Sequence, residues 1–297
     1  MNPGKALGMV SVVGKDQKGI VARVSTYLAN HNVNIEDIEQ KVMQGVFVMN
    51  MLVDMSDLSL PLDELIAELI RMGDQMNMEI KVRLLSQRRE RTCVVLVSKE
   101  NHCLRRLLAD QQAGDLPGRI VAIFSNHESL KPLADAAGLP FEHFPETDKQ
   151  KRDEQICARL DELKPDLVVL ARYMQILTPH FVNRWPSRII NIHPSLLPYH
   201  PGANAYRQAF ETGSRVAGCT AHFVTEDLDQ GPIILQDVFH IAVGVDTLDD
   251  VKRKGRELES KVLSKAVQLH LNDELYVTDN KVVFKPGFDF FKKQQAL

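Results

Sequence analysis

The stretch Ile-Ile-Asn-Ile-His-Pro-Ser-Leu-Leu-Pro, residues 189–198, is an apolar run that carries two polar side chains and stops at a proline. Pro194 lacks the backbone N–H that a strand interior needs, so an apolar strand at Ile189–Ile192 cannot continue far beyond it. In extended backbone, residues i and i+2 face the same side, which places the Asn191 carboxamide beside the His193 imidazole. A neutral hydrogen-bond donor next to a group that titrates near neutrality suits chemistry at a carbonyl group.

A second stretch, Thr-Glu-Asp-Leu-Asp-Gln-Gly-Pro-Ile-Ile at residues 225–234, places Asp229 just before a Gly-Pro turn and a new apolar strand. A carboxylate there can orient and charge a histidine, as in other His/Asp pairs. Taken singly, His193 is as well explained as a satisfied histidine at a strand end, and Asp229 as an ordinary turn residue. Taken together, the three polar residues indicate a catalytic set.

The bulk composition is that of a globular protein. The chain has 297 residues, a length that favours about two domains, with 44% hydrophobic and 25% charged residues. Its net charge of −3 gives no basic footprint for nucleic acid. We find neither a signal peptide nor an apolar run long enough to span a membrane.

The cysteines and acidic residues predict no metal site. The four cysteines have no CxxC spacing, which argues against both a zinc site and a disulfide framework and fits a reducing cytoplasm. Asp227 and Asp229 form a lone Asp-x-Asp pair, too little to indicate metal ligation. We therefore expect a cytoplasmic protein with no metal and no bound cofactor. The cysteines are Cys93, Cys103, Cys157 and Cys219.

Residues 1–86 show the order βαββαβ, which predicts a ferredoxin-like domain. Apolar residues recur at helical spacing over residues 19–30 and again after Pro61, where Leu62, Leu65 and Leu69 share one face. Apolar strands separate these helices. The predicted strands are Met9–Val13, Val33–Val42, Val46–Met55 and Met78–Leu84.

A charged run at residues 87–92 predicts a solvated connector, and residues 93–297 then form the larger domain. Apolar strands alternate there with helix-length segments, which predicts an α/β fold with a doubly wound, mostly parallel sheet. Ligands of such sheets bind at the carboxyl ends of strands, where Asn191 and His193 are expected. The first five predicted strands are Cys93–Val97, Ile120–Phe124, Phe141–Phe144, Leu167–Leu170 and Ile189–Ile192.

The motif from Asn191 to Pro198, followed by Leu-Asp-Gln-Gly-Pro-Ile-Ile-Leu-Gln at 228–236, resembles the signature of enzymes that use 10-formyltetrahydrofolate. These include glycinamide ribonucleotide formyltransferase, methionyl-tRNA formyltransferase and formyltetrahydrofolate deformylase. The resemblance implies that residues 93–297 are a formyltransferase-like domain, that Asn191, His193 and Asp229 are catalytic, and that the folate is substrate.

The same resemblance implies the folate pocket. The segment 170–179 is similar to the family segment whose backbone lines the pterin pocket, and 225–228 would form the opposite wall. The family usually has arginine where this chain has Gln175, so a charged contact to the folate is lost. A purely structural role for Tyr173 and Met174 stays open. The implied folate-binding residues are Tyr173, Met174, Gln175, Ile176, Leu177, Thr225, Glu226, Asp227 and Leu228.

Two details separate the family members. The loop 98–103 has no glycine to cradle a ribonucleotide phosphate, and its Ser-Lys-Glu-x-His-Cys-Leu sequence is similar to the deformylase loop. Lys99, Glu100 and His102 would then contact substrate or cap the next helix. Against this, deformylases often carry a second histidine where this chain has Pro194, a form more typical of the transferases.

The first domain has its own resemblance. Asp-Gln-Lys-Gly at residues 16–19, followed by Ile-Val-Ala-Arg-Val, resembles the first loop and helix of ACT domains, which often bind amino acids at a dimer interface. This implies an effector site near Gly19, with Asn30 or Asn34 as hydrogen-bond donors. A simple loop glycine and turn asparagines explain the same residues.

Together these patterns predict hydrolysis of 10-formyltetrahydrofolate to tetrahydrofolate and formate, supplying formate for purine synthesis. The expected partners are the small folate substrate, an amino-acid effector and further copies of the chain as a dimer or tetramer, with no nucleic acid or membrane. Two alternatives remain: a formyltransferase acting on an amine, and a non-catalytic amino-acid sensor.

Overall fold

The computed structural model describes residues 6–85, 89–199, 204–278 and 280–284. The chain clusters into two compact units. One comprises the chain up to Arg89 together with Glu274–Thr278, and the other contains Glu90–Asp273. Residues 87 and 88 of the predicted connector lie outside the described residues.

The first unit is a four-stranded antiparallel sheet in the order β2-β3-β1-β4, and the predicted βαββαβ order is confirmed. The central strand β1 pairs with β3 on one side and β4 on the other. Its elements are β1 (Leu7–Lys15), α1 (Ile20–Asn30), β2 (Asn34–Met43), β3 (Val46–Asp54), α2 (Leu62–Met76) and β4 (Met78–Leu84).

One apolar core joins the two helices to the sheet. Val24 and Leu28 of α1, with Leu65 and Leu69 of α2, are fully buried against β1 and β3. The predicted 3.6-residue spacing therefore identified the helix faces that pack on the sheet. On another face, Tyr276 of the C-terminal strand β12 (Leu275–Thr278) packs against Val13 and Val48.

The second unit is built on a seven-stranded sheet in the order β11-β10-β9-β8-β5-β6-β7. Strands β5 to β9 are parallel, and β10 runs antiparallel to both β9 and β11, so the predicted mostly parallel sheet is confirmed. The strands are β5 (Thr92–Val97), β6 (Arg119–Ser125), β7 (Phe141–His143), β8 (Leu167–Ala171), β9 (Ile189–His193), β10 (Val216–Phe223) and β11 (Ile233–His240).

Helices cover this sheet. Two short ones, α6 and α7, have too few turns to show an apolar period, so the sequence did not predict them. The longest, α8, starts with a capping box between Thr247 and Asp250. The helices are α3 (His102–Ala113), α4 (Lys131–Ala136), α5 (Lys149–Leu163), α6 (Pro179–Arg184), α7 (Ala205–Glu211) and α8 (Leu248–Leu271).

The chain order places the site. From β5 the chain moves outward through β6 and β7, then returns to the other side of β5 with β8 and β9. The loops after β5 and β8 therefore leave the sheet at its switch point, where ligands of such folds bind.

The strand β13 (Lys281–Phe284) forms a two-stranded sheet with β12. Among the described helices, none has the length and hydropathy needed to cross a membrane.

Candidate active site

Strand β9 carries two of the predicted catalytic side chains to the carboxyl end of the sheet. Asn191 and His193 lie two residues apart on extended backbone, and His193 is 7% exposed. In the antiparallel register with β10, Thr220 pairs with His193, and His222 pairs with Asn191. The register therefore adds a second histidine to this face of the sheet.

Asp229 reaches the pair from the loop between β10 and β11. Its backbone is left-handed at φ 57°, a conformation that Asp tolerates better than most residues. Two residues on, Gly231 passes so close to β10 that an added Cβ would lie 1.8 Å from the Phe223 carbonyl oxygen, so no other residue fits there. The Gly-Pro turn thus fixes the loop that presents the carboxylate.

Asp229 and His193 form a close pair. Asp229 Oδ2 lies 3.2 Å from His193 Nδ1, and both side chains are largely buried. The hydrogen bond from His193, followed by the charge of His193, lowers the pKa of Asp229 despite its partial burial. The other ring nitrogen, His193 Nε2, is buried and has no hydrogen-bond partner among the described residues. No described protein group therefore holds its proton or lone pair.

His222 was missed by the sequence analysis. It is 2% exposed, and its Nδ1 lies 2.9 Å from the Phe223 carbonyl oxygen, which can only accept. Nδ1 therefore carries the proton, and Nε2 has the lone pair that accepts from Asn191 Nδ2 at 3.3 Å. Burial lowers the pKa of His222, which favours this neutral form. The only available signal was a single histidine in an apolar strand.

The His222 contact determines how Asn191 is oriented. Since the amide nitrogen donates one hydrogen to His222, its second hydrogen remains available to another acceptor. The nearer oxygen of Asp229, Oδ1, lies 3.7 Å from His222 Nε2, too far for a hydrogen bond. His222 therefore acts on the amide rather than on the carboxylate.

A cavity of about 440 Å³ contains this cluster. Asn191, His193 and Asp229 line it together with both predicted folate walls. Of the predicted folate-binding residues, Asp227 alone does not line the cavity. Its side chain is exposed, and its carbonyl oxygen accepts a hydrogen bond from Thr225 Oγ1. The predicted residues of the two walls that line the cavity are Tyr173, Met174, Gln175, Ile176, Leu177, Thr225, Glu226 and Leu228.

Helix α5 braces the wall that follows β8. Arg152 and Asp153 are each 2% exposed and bond to one another. Arg152 also donates to Gln175 Oε1 at 2.9 Å and to the Ile176 carbonyl oxygen at 3.3 Å. Asp153 Oδ2 accepts from the Thr178 backbone N–H at 2.6 Å. No sequence pattern indicated this buried pair, because charged residues on a helix usually lie on its solvated face.

A buried threonine holds the turn that follows the catalytic strand. The Thr220 hydroxyl donates to the Ser195 carbonyl oxygen at 2.7 Å and accepts from the Leu197 N–H at 3.0 Å. Gln236, the last residue of the second motif, donates to both Thr220 Oγ1 and the Leu197 carbonyl oxygen at 2.9 Å. The two separated motifs are therefore bonded to each other.

The loop after β5 contributes to a second cavity of about 230 Å³, which shares Arg172, Pro194 and Asn204 with the first. Glu100 and His102 line it, whereas Lys99 is exposed and outside the lining. His102 Nε2 lies 3.0 Å from Glu259, a carboxylate of α8 that is 1% exposed.

The same region holds the group most suited to a cation. His102, Cys103 and Glu259 place their ligand atoms within 4.8 Å of one another. However, Arg172 Nε lies 3.4 Å from the Glu259 carboxylate and would repel a metal ion bound there. Burial, followed by the charge of Glu259, also raises the pKa of the Cys103 thiol, which opposes thiolate ligation.

The predicted effector residues of the first unit are exposed but do not form one cluster. Gly19 precedes α1 with φ 88°, and the space where a Cβ would lie is open. Asn30 ends the same helix of 11 residues, so it lies about 16 Å from Gly19. Asn34 donates to Glu36. A small ligand beside Gly19 therefore cannot also contact Asn30.

Family models match both units. A model described as "Formyl transferase" matches residues 91–267, and one described as "ACT domain" matches residues 8–83. Formyltetrahydrofolate deformylase of Bacillus subtilis is 38% identical over 282 residues, covering 93% of each chain.

Solved structures give the same result. The chain matches a formyltetrahydrofolate deformylase from Pseudomonas syringae with a TM-score of 0.84 and 33% identity, covering 96% of both chains. A glycinamide ribonucleotide transformylase from Symbiobacterium toebii matches with a TM-score of 0.63 and 35% identity, but covers only 67% of this chain. The transformylase has no counterpart for the remaining third. The chain therefore belongs to the formyltetrahydrofolate deformylase family, with an ACT domain preceding a formyl transferase domain.

Proposed function

We propose that this protein hydrolyses 10-formyltetrahydrofolate to tetrahydrofolate and formate at the Asn191, His193 and Asp229 cluster. The observation that carries the proposal is the Asp229–His193 pair at 3.2 Å, which lies beside Asn191 in one cavity with both folate walls. Relatives named for this activity match nearly the whole chain.

The residues have separate roles in this proposal. Asp229, ionised because its pKa is lowered, accepts a proton directly or through His193 as water attacks the formyl carbon. The oxyanion that forms accepts a hydrogen bond from the Asn191 amide. The N10–carbon bond then breaks, and His193 Nε2 delivers a proton to the departing amine. One oxyanion donor is typically worth about 2.7–4 kcal/mol in the barrier.

A formyltransferase is the closest rival, and Pro194 favours it. Two features oppose it. The loop 98–103 contains no glycine to hold a phosphate, and its His102 is engaged by Glu259 at 3.0 Å in the lining of the second cavity. The transformylase match also covers only two thirds of this chain. Water is therefore the proposed acceptor.

The test is product release from 10-formyltetrahydrofolate in a buffer without amines. We expect tetrahydrofolate and formate in equal amounts from the wild-type chain, and none above background from Asp229→Ala. A chain that binds the folate but releases formate only when an amine is added would instead be a transferase. A chain that does not bind the folate would favour the amino-acid sensor.

We propose further that the ACT domain regulates this activity by binding an amino acid near Gly19. The exposed N-terminus of α1, the left-handed glycine and the open space beside it support a ligand there. The measurement is hydrolysis with each amino acid in turn. A Gly19→Val variant, whose side chain strains the backbone and fills that space, should lose any response while keeping basal turnover.

We propose that the chain forms a homo-oligomer through the first unit. Strand β2 is at the edge of its sheet, and its Ile38 and Val42 are 42% and 50% exposed. Light scattering should give a dimer or tetramer, and the double variant Ile38→Lys, Val42→Lys should give a smaller species. A monomer at all concentrations would contradict this.

The proposed setting is the cytoplasm, where the formate would supply purine synthesis. Four buried, unpaired cysteines support a reducing compartment. We also propose that hydrolysis needs no metal or cofactor, because the Asp229–His193 pair can activate water by itself. Full turnover after treatment with a chelator is the expected result.

A further inference from the structure

We propose that Arg152 is a positioning residue that fixes Gln175 as a hydrogen-bond donor to an oxygen of the bound folate. The inference rests on the proposed function, because it assigns Arg152 a role in substrate binding. It starts from the hydrogen bond between Arg152 and Gln175 on the wall of the folate cavity.

The direction of the Gln175 carboxamide follows from elementary hydrogen bonding. A guanidinium group can only donate, so the Gln175 atom 2.9 Å from Arg152 Nη1 must be the oxygen. The amide nitrogen then lies on the other side of the group. Gln175 lines the folate cavity, and among the described residues its nitrogen has no protein partner. Gln175 therefore presents a donor to the cavity.

The brace is built to hold this geometry. Arg152 is 2% exposed and is also bonded to Asp153 and to the Ile176 carbonyl oxygen. Asp153 holds the Thr178 N–H. A buried ion pair contributes little net stability unless its remaining donors and acceptors are satisfied. Here Arg152 Nε has no hydrogen-bond partner among the described residues, whereas both Nη atoms and both Asp153 oxygens are used in the pair or on the wall of the cavity. This argues that the pair serves geometry rather than stability.

The acceptor on the ligand belongs to a definite chemical class. A neutral N–H group binds a carbonyl or carboxylate oxygen, and a folate carries both, in the pterin ring and in the glutamate. Arg152 thus supplies the buried charge, and Gln175 supplies the donor at the surface of the cavity.

Gln175→Glu separates this role from simple bracing. One carboxylate oxygen still accepts from Arg152, so the brace is kept, but the other now presents an acceptor to the folate. We expect at least tenfold weaker binding of tetrahydrofolate by calorimetry and a similarly raised KM. The kcat should stay within twofold of wild type, and the melting temperature should not fall. Binding and KM within twofold of wild type would overturn the proposal.

Two further variants test Arg152 itself. Arg152→Gln should weaken tetrahydrofolate binding, and the exchanged pair Arg152→Gln, Gln175→Arg should restore it by returning a donor to the cavity. Arg159→Gln is the matched control, since Arg159 is on the same helix but pairs with Glu142 and Glu162. If Arg152→Gln does not fold, the binding and KM of Gln175→Glu still decide whether Gln175 donates to the folate. An exchanged pair that folds but binds no better than Arg152→Gln would contradict the proposal.

Tetrahydropterin, which lacks the glutamate, distinguishes the two acceptor groups. Weaker binding of both compounds by Gln175→Glu identifies the pterin carbonyl, and an effect on tetrahydrofolate alone places the acceptor in the aminobenzoyl-glutamate part. Because tetrahydrofolate binding is measured without turnover, its result does not depend on whether the protein hydrolyses 10-formyltetrahydrofolate. A wild-type chain that binds tetrahydrofolate but releases no formate would contradict the proposed hydrolysis and leave this inference intact.

Discussion

At the residue scale, His222 determines which atoms of Asn191 are available to a substrate. Its Nδ1 proton is committed to the Phe223 carbonyl oxygen, so its Nε2 must accept from the Asn191 amide nitrogen. An asparagine in a cavity can otherwise present either end of its amide. The histidine thus converts an ambiguous side chain into a donor with a fixed direction.

His222→Phe should lower kcat about tenfold with little change in KM, because the amide loses the partner that orients it. A hydrogen bond of about 1.4 kcal/mol, at the upper end of the usual range, corresponds to an effect of this size. His222→Gln, whose side-chain oxygen can accept from Asn191, should recover part of the loss. Steady-state kinetics of the three proteins provides the check. Equal kcat for His222→Phe and wild type would show that Asn191 needs no such partner.

Asp229→Asn and His193→Ala should each lower kcat by at least about 10³-fold, and the double variant should be little worse than either. The two side chains act as one unit, so their effects do not add. Single-turnover experiments measure the rates of these variants even where activity is too low for a steady-state assay. Additive losses in the double variant would mean that the pair does not act together.

The pH profile tests the charge state of Asp229. Its pKa lies below the ordinary value of 3.8, so the carboxylate stays ionised from neutrality down to that pH. Any loss of kcat between pH 7 and pH 5 must therefore come from another group. We expect Asp229→Glu to keep the same acid limb in this range. A shift in the acid side of the pH profile in Asp229→Glu would contradict the conclusion that the carboxylate at position 229 stays ionised between pH 7 and pH 5.

Sequence patterns brought together the three proposed catalytic residues because the alternation of a strand and the position of a turn are local properties. Asn191 and His193 follow from a period of two, and Asp229 from its Gly-Pro turn. His222 and Arg152 required the register of β10 on β9 and the approach of α5 to the 173–178 loop. Those are long-range relations, which a single sequence does not encode in any local pattern.

At the scale of elements, the turn after β9 is held by β10 and β11. Thr220 is fully buried and bonds to Ser195, Leu197 and Gln236. The Asn-x-His-Pro motif thus supplies the strand end with Asn191 and His193. The 228–236 motif supplies Asp229 and, through Gln236, part of the anchor of the turn. Pro194 ends the strand at the point where this anchoring starts.

Thr220→Val should destabilise the second unit by about 2 kcal/mol, since it leaves a buried N–H and a buried carbonyl oxygen unsatisfied. Urea unfolding followed by fluorescence of Trp185 measures this unit selectively, because Trp185 is the chain's single tryptophan. Thr212→Val is the control, because that hydroxyl only bonds carbonyl oxygens of its own helix at the surface. Equal destabilisation by both variants would contradict the anchoring role.

Most long elements were predicted, as were the short strand β7 and the short helix α4, but the short helices α6 and α7 were not. Strand β4 and helix α5 have the predicted bounds because a repeated apolar period marks them. Helices α6 and α7 have six and seven residues, and α6 depends on the Thr178 cap and Pro179 rather than on an apolar face. The positions of such short helices depend on their capping residues and on the groups that they pack against.

At the scale of the whole molecule, burial of histidine makes stability depend on pH. Burial, reinforced by the charge of Arg91, lowers the pKa of His270 to about 4. Between pH 4 and 6.5 the unfolded chain binds a proton that the folded chain does not. The folded state therefore gains stability as pH rises through this window and loses it as pH falls.

His270→Phe should reduce the stability difference between pH 7 and pH 5 by about 2 kcal/mol, a value that follows from the pKa of about 4. The phenyl ring can keep the edge contact with Phe223. Urea titrations at the two pH values, with Trp185 fluorescence as the signal, provide the measurement. An unchanged difference between the two pH values would mean that His270 is not neutral in the folded state.

The most direct test of the central claim is the isotopic composition of formate released from 10-formyltetrahydrofolate in H₂¹⁸O without amines. Attack by water predicts one ¹⁸O atom per formate, tetrahydrofolate in equal amount, and loss of both products in Asp229→Asn. If formate is released only after an amine is added, or if the formyl group appears on that amine, the chain is a transferase and the account is wrong.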